Sequence, residues 1–438
     1  MDDRELELDI SKKYLIPHNL TYVKLPEGIL VIAVDNANWL YLHNQEQEKI
    51  FKLLIDLSIE EVLEKMDGLC LNSDDLMSVL TELEAKQFES KKCKEAGIRS
   101  LNMYITNKCN LHCQHCYMSA GTQIENELQT NEILTFLEAF QKGGGCNLVL
   151  TGGEITERND LKIIVTKANE LKLITTLLTN GIGWSNKLIE EISSMVAEVQ
   201  VSIDGYDEIS NSRIRGPGNF SRALETVSQF NRQGVRVTVA ITPEFPVNKE
   251  KYIIFGKFLL DTFDNENFNV KFSYELIPGR DYLSTHIDNQ VYRNDVEDVV
   301  ESIYPSNKLE KFALNHKNRF LFSNCGYGAP TISSDGSIYF CNRISELKCY
   351  GNIRDMSFEE FTLITERIST LSDVDNLMPC NECDLRYICG GGCRVEYTPS
   401  LLQTTLDTKA SFVRQKCTEM DKINLYRKMI LSNDFFYW

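Results

Sequence analysis

The chain has 438 residues, 42% of them hydrophobic, enough for about two to four domains at roughly 100–200 residues each. Its net charge of −17, with no Lys/Arg-rich run, excludes a general nucleic-acid binder, which needs a basic face. No segment reaches the roughly 18 uninterrupted apolar residues of a membrane span. The acidic start, Met1-Asp2-Asp3-Arg4-Glu5, also lacks a signal peptide's apolar core, so the expectation is a cytoplasmic protein with no membrane partner. Fourteen cysteines in that reducing compartment point to metal or catalytic use, not to a disulfide framework.

Three β-type runs come first: Leu20 to Leu25, Ile29 to Val34 and Trp39 to Leu42. Pro26-Glu27-Gly28 and Asp35-Asn36-Ala37-Asn38 break them. Helical stripes follow. Ile50, Leu53, Leu54 and Leu57 form one; Ser58-Ile59-Glu60-Glu61 reads as a capping box; Leu76, Val79, Leu80 and Leu83 mark a helix over Ser73 to Phe88. Together they predict a small winged-helix-like α+β unit over residues 1–92. A structural cap and a DNA-binding winged helix are the alternatives, and the acidic helices argue against DNA. The polar stretch from Gln87 to Arg99 reads as a linker.

From Ser100 the pattern alternates. Strands are expected at Leu101–Ile105, Asn147–Leu150, Ile174–Leu178, Val199–Ile203, Val235–Ile241 and Val270–Leu276. Helices are expected at Asn131–Gln141, Asp160–Leu171, Lys187–Met195, Ser221–Arg232 and Glu250–Asp264. Six βα-type repeats over residues 100–277 imply a parallel sheet with outer helices, and their spacing suits a partial (β/α)6 barrel. Active sites of such barrels gather at the C-terminal ends of the strands.

The distinctive residues fall at those ends. Cys109, Cys113 and Cys116 stand at C-x3-C-x2-C spacing after the first strand. Three thiolates this close can hold three corners of an iron–sulfur cube and leave one iron open to a second molecule. A zinc site or three buried thiols is the blander alternative. Thr151-Gly152-Gly153-Glu154 follows the second strand: two glycines let backbone approach a ligand, and Glu154 can pair an ammonium. Thr179-Asn180-Gly181 follows the third. Ser202-Ile203-Asp204-Gly205 closes the fourth, with Arg213-Ile214-Arg215-Gly216 beyond it.

A bridging segment is expected over 278–322 and a last domain over 323–438. Cys325 precedes Gly336 and Cys341; then come Cys380, Cys383, Cys389, Cys393 and Cys417. Pro330 to Phe340 reads as a hairpin carrying the first two of these. C-x2-C pairs alone would also suit zinc ribbons. Cys70, Cys93, Cys146 and Cys349 fall outside both groups, and the aromatic tail Phe435 to Trp438 reads as a packing element.

The triplet, with His115 as the ring before its last cysteine, resembles the signature of the radical S-adenosylmethionine (radical SAM) family. The G-G-E motif and the later strand-end motifs resemble that family too; Ile155 stands where it commonly has proline. The seven later cysteines resemble the SPASM signature, and the N-terminal unit resembles the RiPP recognition element, which binds the leader of a ribosomally made peptide. The resemblance implies three 4Fe-4S clusters and SAM. Cys109, Cys113 and Cys116 would hold the SAM-binding cluster. His115, Gly152, Gly153, Glu154, Thr179, Asn180, Ser202, Asp204 and Arg215 would surround SAM, with Glu154 on its amino group and Ser202 and Arg215 on its ribose or carboxylate. Cys380, Cys383, Cys389 and Cys417 would ligate one auxiliary cluster fully. Cys325, Cys341 and Cys393 would hold another whose last iron is open or substrate-ligated; Arg319 stands where some relatives have a further cysteine. The partners implied are a precursor peptide, its leader pairing on the edge strand Trp39–Leu42, and an external low-potential electron donor. The expected activity is radical cross-linking of that peptide, a thioether first and a carbon–carbon bond second. A formylglycine-type sulfatase maturase and a non-catalytic Fe–S electron-transfer protein are the alternatives.

Overall fold

The computed structural model describes every residue except 1–8, 90–98, 264–265, 278, 281–286, 305–306, 317–320, 324, 345–346, 399–411, 416 and 437–438. Most of the expected linker, Cys93, Arg319 and the last two residues of the aromatic tail therefore lie outside the described residues.

The N-terminal unit is an antiparallel meander, β1 (Leu20–Leu25), β2 (Gly28–Ala33) and β3 (Asn38–Leu42), followed by α1 (Gln45–Leu54), α2 (Ile59–Met66) and α3 (Ser73–Ala85). Strand β2 reads GILVIA, apolar at nearly every position, because both faces of the sheet are covered. Ile29, Val31, Ala33, Leu40 and Leu42 pack onto the three helices. Leu30, Ile32 and Trp39 face the other way, onto C-terminal elements.

The central sheet holds β4 (Ser100–Tyr104), β5 (Asn147–Thr151), β6 (Ile174–Thr179), β7 (Glu198–Ser202), β8 (Arg236–Ile241) and β9 (Phe268–Phe272), all parallel and in sequence order. Helices α4 (Thr130–Lys142), α5 (Leu161–Glu170), α6 (Asn186–Ile192), α7 (Glu208–Arg215), α8 (Phe220–Arg232) and α9 (Lys249–Thr262) connect them. The expected strand Val270–Leu276 begins two residues earlier and ends at Phe272; beyond it Ser273 and Glu275 line the cavity described below. Helix α7 was not anticipated. Its Asp207 cap accepts the Ser210 amide at 2.7 Å, and Gly216 ends it with a φ of 86°.

Next come α10 (Asn289–Ile303) and α11 (Asn307–His316), then the expected hairpin as β10 (Thr331–Ile332) and β11 (Ile338–Tyr339). Strand β10 adds in parallel to the free side of β4, so the hairpin extends the central sheet. Helix α12 (Phe358–Leu371), the short helices α13 (Arg386–Cys389) and α14 (Arg394–Tyr397), and α15 (Glu419–Leu431) follow, with a short parallel pair, Leu377–Met378 against Phe412–Val413, beside them. Among the described residues no helix is long and apolar enough to cross a membrane.

Candidate active site

Along β6 to β8 the side chains alternate. Leu177, Val199, Val201, Val237 and Val239 are fully buried, while Leu178, Gln200, Ser202 and Ala240 line a cavity of about 400 Å³. Strand alternation thus divides core from cavity. Cys109, Cys113, Cys116, His115, Gly152, Gly153, Thr179, Asn180, Ser202, Asp204 and Arg215, all singled out from sequence, line the same cavity.

The cysteine loop is fixed by backbone pairing. The Cys109 amide donates to Gly121 O at 2.9 Å, Gly153 N to Thr106 O at 2.9 Å and Glu154 N to Lys108 O at 2.9 Å. The two glycines work here, since a Cβ on Gly152 would strike the Thr106 carbonyl and one on Gly153 the Lys108 carbonyl. Their close approach serves the cysteine loop as well as the cavity. Glu127 supports the same loop, accepting from the Asn107 amide at 2.7 Å and the Thr106 hydroxyl at 3.0 Å.

Glu154 is 1% exposed and is not part of the cavity lining; its carboxylate is engaged by the β6 end. It accepts from Thr179 Oγ1 at 2.7 Å, the Asn180 amide at 2.7 Å, and the Thr156 amide and hydroxyl at 3.1 and 3.0 Å. Four donors converge because the turn after β6 points its amide and hydroxyl at the loop after β5. Burial pushes this carboxyl up, against the pull of those donors. The side chain ties two strand ends together; backbone of Gly152 and Gly153 is what faces the cavity.

Asp204 is the electrostatic hinge of the opposite wall. It is 1% exposed, accepts from Arg215 Nε at 2.5 Å and the Thr242 amide at 2.8 Å, and stands 3.1 Å from His115 Nε2. Burial would raise its carboxyl, but Arg215 and His115 outweigh that and hold it well below the usual range. Asn211 on α7 accepts the Asp204 and Gly205 amides at 3.1 and 3.2 Å, so α7 carries Arg215 back to the strand end.

Burial, first, pushes the Cys109 thiol up to about 11, and the charges of Cys113, Glu154 and Cys116 add to it. Burial raises Cys113 too. Such thiols become good ligands only with a cation to stabilise the thiolate, which an iron–sulfur cluster provides. None of the described cysteines is in a disulfide. Among the described residues no three His, Cys, Asp or Glu side chains converge tightly enough for a single metal ion; the thiols stand around cavities instead.

Cys380, Cys383, Cys389 and Cys417 line a second cavity of about 270 Å³. Burial, first, raises the Cys341 thiol, and the charges of Cys325 and Cys393 add to it. Cys349 is exposed and donates to Gly351 O at 3.2 Å.

Several cavity residues escaped the sequence reading. Asn342, next to Cys341, lines the first cavity, and its carbonyl accepts from Tyr104 Oη at 2.8 Å; Tyr104 in turn meets Tyr117 Oη at 2.7 Å. Glu275, beyond β9, is held by Arg293 at 3.0 Å and Arg343 at 3.1 Å. Burial and the neighbouring Glu396 carboxyl push Glu275 up to about 7, against both arginines. No motif marked these residues, because their partners lie far along the chain.

The edge strand β3 is an edge in the structure, but its outward amides are taken. Trp39 N donates to Asn38 Oδ1 at 2.9 Å, Tyr41 N to Glu82 Oε2 at 3.2 Å and His43 N to Gln47 Oε1 at 2.8 Å. Asn433 also donates to Glu82, at 2.5 Å. A strand added there must replace these side-chain acceptors with its own carbonyls.

Comparison with known proteins agrees with this architecture. Residues 103–255 match the family model described as the radical SAM superfamily. The chain therefore carries a radical SAM domain, in the region that spans β4 to α9. It is 30% identical over 145 residues to the sporulation killing factor maturation protein SkfB of Bacillus subtilis, covering 33% of this chain and 35% of that relative. It is 26% identical over 321 residues to the AdoMet-dependent heme synthase of Methanosarcina barkeri, covering 66% of this chain and 89% of that relative. The crystal structure of Streptococcus suis SuiB bound to S-adenosylmethionine superposes with a TM-score of 0.53 at 18% identity, covering 92% of this chain and 99% of that one. That last likeness is one of fold.

Proposed function

We propose that this chain is a radical SAM enzyme that modifies a ribosomally made precursor peptide. The observation that carries the reading is the convergence of Cys109, Cys113 and Cys116 with Gly152, Gly153, Ser202, Asp204 and Arg215 on one cavity, whose wall also includes the neighbour of Cys341. The N-terminal sheet gives an extended peptide a place to pair. A structure of SuiB bound to precursor peptide SuiA, similar in fold at a TM-score of 0.51, supports a peptide partner.

The residues fit the cofactors the domain implies. Cys109, Cys113 and Cys116 would hold a 4Fe-4S cluster, and the two cysteine groups beyond Phe322 would hold auxiliary ones. When bound, these groups supply a one-electron source, a 5′-deoxyadenosyl radical to take a hydrogen atom, and a sink for the surplus electron. Arg215, charge-balanced by Asp204, suits the carboxylate of SAM. The backbone of Gly152 and Gly153 suits its ammonium, in place of the Glu154 side chain. Closing a C–S bond from a C–H and an S–H releases a hydrogen atom, an electron and a proton. Glu275, in the cavity wall with a carboxyl near neutrality, is the group suited to take the proton. Thiols and clusters of this kind favour a reducing compartment such as the cytoplasm, and the chemistry calls for an external low-potential donor.

A thioether is the first bond proposed and a carbon–carbon cross-link the second. Anaerobic co-expression with a precursor peptide, followed by mass spectrometry, tests this: the product should be lighter by two hydrogens, and a core stripped of cysteine should not cyclise. A cyclised cysteine-free core would overturn the thioether. The long match to the heme synthase favours one other reading, a porphyrin substrate. Formation of heme from a porphyrin by the purified protein would support it; no change in the porphyrin is expected.

A further inference from the structure

The loop between two cysteines of the second cavity, Cys383-Asp384-Leu385-Arg386-Tyr387-Ile388-Cys389, does not rest on its own domain alone. Leu385 and Ile388 are 2% and 3% exposed, and both sit in one apolar layer with Leu30, Ile32, Val34 and Trp39 of the N-terminal unit. Cys383 and Cys389 pack against that layer. Arg386, which lines the second cavity, reaches Asp35 in the turn between β2 and β3 at 2.6 Å. Its other terminal nitrogen donates to the Cys383 carbonyl at 3.3 Å. The Ile388 carbonyl is 3.0 Å from His316 Nε2, and that imidazole packs edge-on against Trp39 with ring centres 6.0 Å apart.

We propose that the N-terminal unit braces the loop that walls the second auxiliary cluster site, so that the sheet meant to receive the leader and the loop between Cys383 and Cys389 are one coupled element. This rests on the reading of Cys380, Cys383, Cys389 and Cys417 as a cluster site. A thiolate loop must present its sulfurs in fixed directions, and here the intervening side chains that fix it are inserted under a different domain. The β2 face carrying Leu30 and Ile32 touches the loop, and β3 is the neighbouring strand, so displacing β3 must be felt at Cys383 and Cys389. Linkage makes the effect reciprocal: a cluster that favours one position of the sheet changes peptide affinity by the factor by which peptide changes cluster retention.

The test uses the full chain, reconstituted anaerobically with ferrous iron and sulfide, and reads iron and sulfide per chain with electron paramagnetic resonance of the reduced clusters. Three clusters amount to about twelve irons in the unaltered protein. Ile32→Ala, Leu30→Ala and Arg386→Ala should each lower that count by up to about four, with loss of one auxiliary signal and retention of the signal that shifts on adding SAM. Val31→Ala, on the opposite face of the same strand, weakens the N-terminal core equally and should keep the full count. Asp35→Arg combined with Arg386→Asp should recover iron lost in either single variant. Full iron and unchanged spectra in Ile32→Ala and Arg386→Ala would overturn the proposal, as would equal loss in Val31→Ala. An unaltered protein that takes up only about four irons would overturn the auxiliary reading itself, and the proposal with it.

Discussion

Replacing Glu154 separates a strand tie from a ligand-binding carboxylate. In Glu154→Ala the Asn180 and Thr156 amides lose their acceptor, as do the Thr179 and Thr156 hydroxyls. The hydroxyls can turn: Thr156 already reaches Ile182 O at 3.0 Å. The amides cannot. At about 1–3 kcal/mol for each buried donor left unsatisfied, the two amides should cost the alanine variant about 2–6 kcal/mol. Glu154→Gln keeps one acceptor oxygen, so one of the two amides faces an NH₂ group, and the loss should be about 1–3 kcal/mol. Anaerobic urea unfolding followed by tryptophan fluorescence checks this. Trp184 is a fitting probe because its indole donates to Thr179 Oγ1 at 2.9 Å, directly beside the lesion. Variants within about 0.5 kcal/mol of the parent, combined with lost SAM binding, would refute the strand-tie role and restore Glu154 as the ammonium partner.

Gly153→Ala should drive a methyl into the Lys108 carbonyl, displacing the cysteine loop; iron bound at the triplet should fall while the N-terminal unit stays folded, as near-ultraviolet and far-ultraviolet dichroism will show. Glu82→Ala should free the Tyr41 amide, so hydrogen exchange there should quicken relative to Leu40, whose amide pairs within the sheet. Glu275 carries a pH signature. Its carboxyl is raised in the folded state to about 7 from an ordinary 4.5, so the stability it lends is complete below about 4.5 and is lost as pH rises through about 7. The melting temperature of Glu275→Gln should therefore gain on the parent between pH 5 and pH 8, at about those limits; a constant difference would remove the shift. Tyr104→Phe should loosen the contact between the triplet loop and Asn342, and should raise SAM cleavage that is not coupled to peptide product.

Much of the fold was legible because the strands of the parallel sheet are short apolar runs at regular spacing. The motifs were legible because they stand at strand ends, where glycine, cysteine and charge have no core-packing reason to be. The sequence did not reveal direction. Glu154 follows two glycines as a ligand-binding carboxylate would, yet two of its four donors come from a turn 25 and 26 residues on. Helix α7 was missed because its mean hydropathy is low and it carries few apolar residues, although the Asp207–Ser210 cap was a readable signal. The pairing of β10 with β4 joins residues more than two hundred positions apart, as does the contact of Tyr104 with Asn342, and no local pattern encodes either. Asp35 and Arg386 are 351 residues apart, and no local pattern links them.

The triplet cavity is proposed to perform radical SAM chemistry. Anaerobic incubation of the reconstituted protein with SAM and a low-potential reductant tests it most directly, with liquid chromatography for 5′-deoxyadenosine. 5′-Deoxyadenosine should form with the unaltered chain and not with Cys109→Ala, Cys113→Ala or Cys116→Ala. No 5′-deoxyadenosine from a fully iron-loaded, folded chain would contradict it.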